Sequence, residues 1–101
     1  MAELNLESLA FLCKSLGDGN RLRILLALRN GRKSVSRIVE ELNLSQPLVS
    51  HHLKELRRAL LVTVERRGPF VYYGMSDGRI LDFIRDLEGL ARDLLAGRNT
   101  F

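Results

Sequence analysis

The segment Leu42-Asn-Leu-Ser-Gln-Pro-Leu-Val-Ser-His-His-Leu-Lys-Glu-Leu56 constrains this chain more than any other stretch. It reads as a helix end, a tight turn and a second helix with one apolar and one polar side. Val49, Leu53, Leu56 and Leu60 recur at i, i+4, i+7 and i+11. At about 100° per residue they form one narrow stripe that must face a core. Pro47, Ser50, His51, Lys54 and Arg58 point the other way, and none of them is acidic. A face with short hydrogen-bonding groups in its first turns and basic groups further along suits base edges and phosphates.

The ends of this helix carry their own markers. Ser45 can cap the exposed N–H groups of the first turn, and Pro47 sits where a missing donor costs nothing. Upstream, Ser36 is the expected N-cap of a helix running to about Asn43, with Ile38, Val39 and Leu42 as its buried stripe. Only Asn43 and Leu44 then separate the two helices, which predicts a helix-turn-helix whose second helix reads the major groove.

The chain of 101 residues amounts to one domain, read as spanning 1–101, and its 46% apolar content is ordinary for a globular protein. Its net charge of +4 and pI near 9.8 favour a polyanionic partner without requiring one. The distribution is more telling. Between His51 and Arg67 stand Lys54, Arg57, Arg58, Arg66 and Arg67 against only Glu55 and Glu65. No run of apolar residues approaches the ~18 that a membrane span needs, and no signal peptide is evident, so a cytoplasmic location is expected. One cysteine, Cys13, excludes an intramolecular disulfide and a thiolate-rich metal site within one chain.

Before the central motif, periodicity predicts a first helix over about Leu4 to Leu16. Glu3 and Glu7 stand near its start, where acidic groups suit the helix dipole. Asp18 then caps a second helix from Arg21 to Arg29, with Leu22, Leu25, Leu26 and Leu28 inward. Asn30-Gly31 closes it, and Lys33 to Val35 suit a brief strand. After the motif, Leu61–Arg66 and Phe70–Met75 flank Arg67-Gly-Pro69 and predict an antiparallel hairpin with Arg66 and Arg67 at its tip. Val62 and Val64 share one face, as do Val71, Tyr73 and Met75; Tyr72 and Tyr73 oppose each other. A ribbon in this place is the wing of a winged helix.

A last helix is expected from Asp77 to about Leu95. Its apolar residues cover well over half its circumference, so it is buried on more than one side. With the first helix similarly wide, Leu6, Leu9, Leu12, Ile80, Ile84, Leu87 and Leu94 are expected to form an intersubunit layer in a symmetric homodimer. The fold class is therefore mainly α with a small β-hairpin, about five helices plus a two-stranded wing.

Within that frame, Gln46, Ser50 and His51 are the expected readers of base edges, and Ser45, Lys54, Arg58, Arg66 and Arg67 the phosphate anchors. His52, near −60° from Val49, is a boundary residue that packs at the core edge or bonds a phosphate. Adjacent histidines do not form a helical metal pair, which sits at i and i+4. Arg21 and Arg23 read as solvent-exposed or paired to an acid. Cys13 is expected to pack as a small buried side chain; the alternative is a redox or thiol-reactive sensor. No set of residues for catalysis assembles, so no enzyme is expected. A protein-interaction module would need an apolar or acidic face on the motif's second helix, and that face is basic.

Three segments together carry a resemblance: Asp18-Gly-Asn-Arg-Leu-Arg-Ile-Leu25, Leu44-Ser-Gln-Pro-Leu-Val-Ser-His-His-Leu-Lys-Glu-Leu56 and Arg66-Arg-Gly-Pro-Phe-Val-Tyr-Tyr73. In order and spacing the chain resembles the ArsR/SmtB winged-helix repressors over nearly its whole length. The resemblance implies a homodimeric repressor that binds an imperfect inverted repeat in double-stranded DNA and leaves it when an inducer, often a metal or metalloid ion, binds. The metal half of that pattern is missing. Ser36-Arg-Ile-Val-Glu-Glu-Leu42 has no thiolate where arsenic- and cadmium-type members carry paired cysteines. Zinc-type members place Asp and His early in the last helix and His and Glu about ten residues on. Here Asp77 matches, but Arg79, Leu90 and Asp93 occupy the other positions, so neither metal nor cofactor is expected. The inducer stays open: none at all, an organic ligand or protein at the dimer layer, a metal in an unusual ligand set, or oxidation at Cys13.

Overall fold

Short polar side chains set where the helices begin. In the computed structural model, which describes residues 3–97, Asn5 accepts from the Ser8 N–H and starts α1 (Leu6–Leu16). The helix thus begins two residues later than its periodicity predicts, and Glu3 lies outside its first turn. Asp18 accepts from the N–H groups of Asn20 and Arg21 at 2.9 and 3.1 Å and caps α2 (Gly19–Ala27), which starts and ends earlier than expected. Strand β1 is only Lys33–Ser34. Ser34, rather than Ser36, caps α3 (Val35–Leu42) by accepting from the Arg37 N–H at 3.2 Å. The reason is local: β1 delivers Ser34 in extended geometry directly before the first helical residue, while Ser36 is already inside the first turn.

Asn43 ends α3 in the left-handed region at φ 53°, a conformation that asparagine tolerates and that turns the chain sharply. Ser45 then accepts from the Leu48 N–H at 3.3 Å and starts α4 (Gln46–Arg58), with Pro47 in its first turn. The hairpin follows as β2 (Val62–Arg67) and β3 (Phe70–Met75). Asp77 accepts from the Arg79 N–H at 2.9 Å and opens α5 (Arg79–Gly97).

Three helices and the sheet share one core. Ile24, Leu25 and Leu28 of the α2 region, Ile38 of α3 and Val49, Leu53 and Leu56 of α4 are buried together with Ala59, Leu61 and Val62. Helix α2 turns a different face inward than expected: Ile24 is fully buried, and Leu22 and Leu26 are only half-buried. Leu60 departs further from the sequence reading. It is 80% exposed, because α4 ends at Arg58 and Leu60 takes a positive φ of 61° that turns its side chain out of the stripe. Leu61 takes its place in the core.

The wing is broader at its base than a hairpin. Strand β1 pairs with β3 through Lys33 with Tyr73 and Ser34 with Tyr72, giving the order β1-β3-β2. Val62, Val64, Tyr73 and Met75 lie on the side that packs on the helices, and Val62 and Tyr73 meet the core directly. The other face carries Thr63, Glu65 and Tyr72. Gly74 is buried there: a Cβ at that position would come within 2.8 Å of the Arg32 side chain. Its absence lets Arg32 lie across the sheet, where its Nη2 donates to Thr63 Oγ1 at 3.0 Å and its Nε pairs with Glu65 at 3.0 Å.

The end helices have little of their surface covered. Helix α5 has no fully buried residue, and Leu6, Leu9, Leu12, Leu87 and Leu94 are exposed. Ile80 and Ile84 are half-buried because they also pack on the core of their own protomer. Cys13 is exposed, contrary to the buried reading. It lies beside an open groove of about 640 Å³ with Leu9, Leu12, Leu60, Ile80 and Phe83.

Candidate nucleic-acid interface

Burying Val49, Leu53 and Leu56 fixes the rotation of α4 and leaves its opposite side in solvent. Gln46, Pro47, His51, Lys54 and Arg58 are exposed there and Ser50 is half-buried. Gln46 and Ser50 sit one turn apart, and the Gln46 Nε2 donates to Ser50 Oγ at 3.0 Å. This contact aligns an amide and a hydroxyl, a pair able to address base edges. The Ser45 hydroxyl accepts from Leu48 as the cap, so its own O–H is available to donate to a phosphate oxygen. The first turn of α4 adds the partial positive charge of a helix N-terminus. Arg58 approaches Glu55 at 3.8 Å, an exposed pairing of little strength.

At the wing, Gly68 adopts φ 61° and with Pro69 forms the two-residue turn between Arg67 and Phe70. A positive φ at the first turn position is what the tight primed hairpin turns require, and glycine supplies it without strain. Arg66 and Arg67 are both exposed beside this turn. Arg67 Nε donates to Glu65 at 2.9 Å, and its guanidinium lies 5.8 Å from the Tyr72 ring centre. The hydrogen bond from Arg67 holds the Glu65 carboxyl below its ordinary range. Solvent screens an exposed pair of this kind, so it holds Arg67 only weakly and a phosphate can compete for it.

The two histidines part company. His51 is exposed, and His52 is 5% exposed and turned toward α2. Arg21 Nε donates to His52 Nδ1 at 3.1 Å, and Arg21 Nη1 donates to the Ser15 carbonyl at 3.3 Å. Arg21 is thus a half-buried structural donor instead of a solvent-facing charge. Asp18 Oδ1 stands 3.8 Å from His52 Nε2. Burial pushes the His52 imidazole below its ordinary range, Asp18 pulling the other way and Arg21 and His51 adding to the depression. Arg23 Nη2 donates to the Leu42 carbonyl at 2.8 Å and ties α2 to the turn before α4. These anchoring roles escaped the sequence reading. The available signal was that both arginines begin the helix that α4 must cross.

The positions where zinc-type relatives hold metal do not form a site. Asp77 is engaged by Arg79, whose side-chain and backbone donors hold its carboxyl down to about 2. Among the described residues no three His, Cys, Asp or Glu side chains converge. Arg79 and Leu90 supply no metal donor at two of those positions, so the zinc-type set does not fit here. No helix among the described residues is long and apolar enough to cross a membrane.

The model of the bacterial regulatory proteins of the arsR family matches residues 18–64, from the α2 cap through α4 into β2. An HTH-type transcriptional regulator of Methanocaldococcus jannaschii is 36% identical over 85 residues, covering 83% of this chain and 96% of that one. The chain belongs to the ArsR family. It is a winged-helix transcriptional regulator. The transcriptional repressor SdpR of Bacillus subtilis is 35% identical over 71 residues, covering 70% of this regulator and 79% of the repressor. In three dimensions the regulator is similar to a homodimeric winged helix-turn-helix DNA-binding domain of Mycobacterium bovis, with TM-score 0.78, 25% identity and 92% of each chain covered.

Proposed function

We propose that the regulator is a cytoplasmic, non-enzymatic repressor that binds an inverted-repeat operator as a homodimer. Each copy lays α4 into a major groove, the two grooves lying one helical turn, about 34 Å, apart. Gln46, Ser50 and His51 read base edges. Ser45, Lys54, Arg58, Arg66 and Arg67 bind phosphates. The observation that carries the reading is the outward side of α4, which is polar to basic and uncovered by any described part of the chain. The dimer is supported by the exposed leucines of α1 and α5, by the place of Leu60 in the groove between them, and by the homodimeric relative. That apolar surface costs free energy when left in water, at roughly 25 cal/mol per Å².

The test is selection of duplexes from a randomised pool, followed by anisotropy titrations of the best binder at several salt concentrations. Lys54→Ala should weaken all duplexes alike and reduce the salt slope by about one unit, the signature of one lost phosphate contact. Gln46→Ala should relax the preference at particular base pairs at a cost of about 1–3 kcal/mol on the selected sequence. An unchanged salt slope in the first variant, or equal losses on selected and random duplexes in the second, would contradict these assignments.

A further inference from the structure

Helix α4 is held to the rest of the protomer by a polar lock as well as by its leucines. His52 sits on the flank of the reading face, next in sequence to His51 and buried against the start of α2. Its Nδ1 accepts from Arg21 Nε at 3.1 Å. An arginine guanidinium is always protonated and can only donate, so Nδ1 carries the lone pair and the neutral ring bears its proton on Nε2. The same Arg21 reaches the Ser15 carbonyl at the end of α1, and Asp18 caps α2 while facing Nε2 at 3.8 Å. His52 therefore ties α4 to α2 across 31 positions, and the same Arg21 ties both to the end of α1.

From this geometry we infer that Arg21, Asp18 and His52 are positioning residues for the reading face of α4, and that the position they set is the one able to bind DNA. The inference rests on the DNA-reading role proposed above. Adding a proton to Nδ1 removes the acceptor and sets an N–H against the Arg21 N–H. It also places two cations about 3 Å apart in a half-buried space, where their repulsion is poorly screened. The charged groups acting on the ring are Asp18 and Arg21 at the start of α2 and His51 on its own helix. Asp18 attracts the protonated ring, Arg21 and His51 repel it, and burial of the ring tips the balance toward the neutral form. Protonation must break the lock and let α4 shift, and binding constellations tolerate shifts of only about 0.5 Å.

The sign follows from linkage. If DNA binds the locked, neutral form, the unbound protein holds more protons, and affinity falls as pH falls. His51 lies on the DNA face itself and is therefore replaced in both proteins. The experiment therefore compares His51→Gln with His51→Gln/His52→Asn. Asparagine places a non-titrating acceptor near the Nδ1 position. Binding to the selected duplex is measured by anisotropy from pH 7.5 to 5 at constant ionic strength, and folding is followed by circular dichroism.

The single variant should lose affinity on acidification, with a slope approaching about tenfold per pH unit, and the double variant should change by less than about twofold. Equal slopes in the two proteins, or a flat profile in both, would overturn the inference. Should asparagine fail to fold, long-range 15N–1H spectra of the wild-type protein decide. They should show His52 as the Nε2–H tautomer with a titration midpoint that drops when the duplex is added. The other tautomer, or an unmoved midpoint, would overturn it. A wild-type protein that binds no duplex at pH 7.5 would overturn the DNA reading, and this inference with it. Tight binding at pH 7.5 with no loss in acid would overturn the positioning inference alone.

Discussion

Leu87→Glu is expected to reduce affinity for an inverted-repeat duplex by about 10²–10⁴-fold while leaving each protomer folded. The size follows from the linkage of two weak half-site contacts. When two copies are joined, the second contact is intramolecular, and that advantage disappears once the copies separate. Leu87 lies on α5, is 48% exposed within the protomer and lines a second groove, where α5 passes α2 and the end of α1, with Leu22, Leu26 and Phe83. A carboxylate there costs little in a monomer, because surface substitutions usually stay within about 0.5 kcal/mol. In a dimer it would be buried against an apolar partner surface without a counter-charge, which is severely unfavourable. Sedimentation of the variant should give a monomer with an unchanged circular dichroism spectrum. A dimer with wild-type DNA affinity would remove α5 from the proposed interface.

Leu56→Ala is expected to lower the stability of the fold by about 2–5 kcal/mol, the range for truncating a fully buried leucine. Leu56 is 0% exposed and belongs to the cluster that joins α2, α3 and α4 to the base of the wing. In a domain of this size each kcal/mol lowers the melting temperature by about 4–8 °C, so the loss is easily seen in a thermal scan. Wild type and variant must be compared at equal protomer concentration, since dimerisation adds to apparent stability. A shift below about 1 kcal/mol would mean that α4 is not docked through this residue.

The features most legible in the sequence were those that depend on neighbours along the chain. The caps at Asp18, Ser45 and Asp77, the tight turn at Asn43-Leu44 and the hairpin around Gly68-Pro69 all follow from local chemistry. The stripe of Val49, Leu53 and Leu56 was equally clear, because a 3.6-residue period leaves one side of the helix for the core. Leu60 lies outside the stripe that its position in the sequence continues. Its spacing continues the stripe, but spacing carries no information on where hydrogen bonding stops, and the helix ends at Arg58. Ser34 and Ser36 are both chemically able to cap α3; the choice between them is made by the pairing of β1 with β3, which is a long-range event.

Interactions that cross between elements were the least legible. The bond from Arg21 to His52 spans 31 residues and converts an apparent surface arginine into a half-buried donor. The space over Gly74 belongs to Arg32, a residue from before α3, and only the three-stranded sheet brings the two together. Cys13 shows the converse effect. A free cysteine on an apolar helix is usually buried, but the α1 face that carries it is exposed in the protomer.

Whether two reading helices stand one turn apart is decided by methylation interference at guanine N7 on the selected duplex. Guanine N7 lies in the major groove, so interference marks where α4 enters. Two clusters of interfering guanines are expected on one face of the duplex, centred about 10–10.5 base pairs apart. A single cluster, or tight binding indifferent to N7 methylation throughout the site, would contradict it.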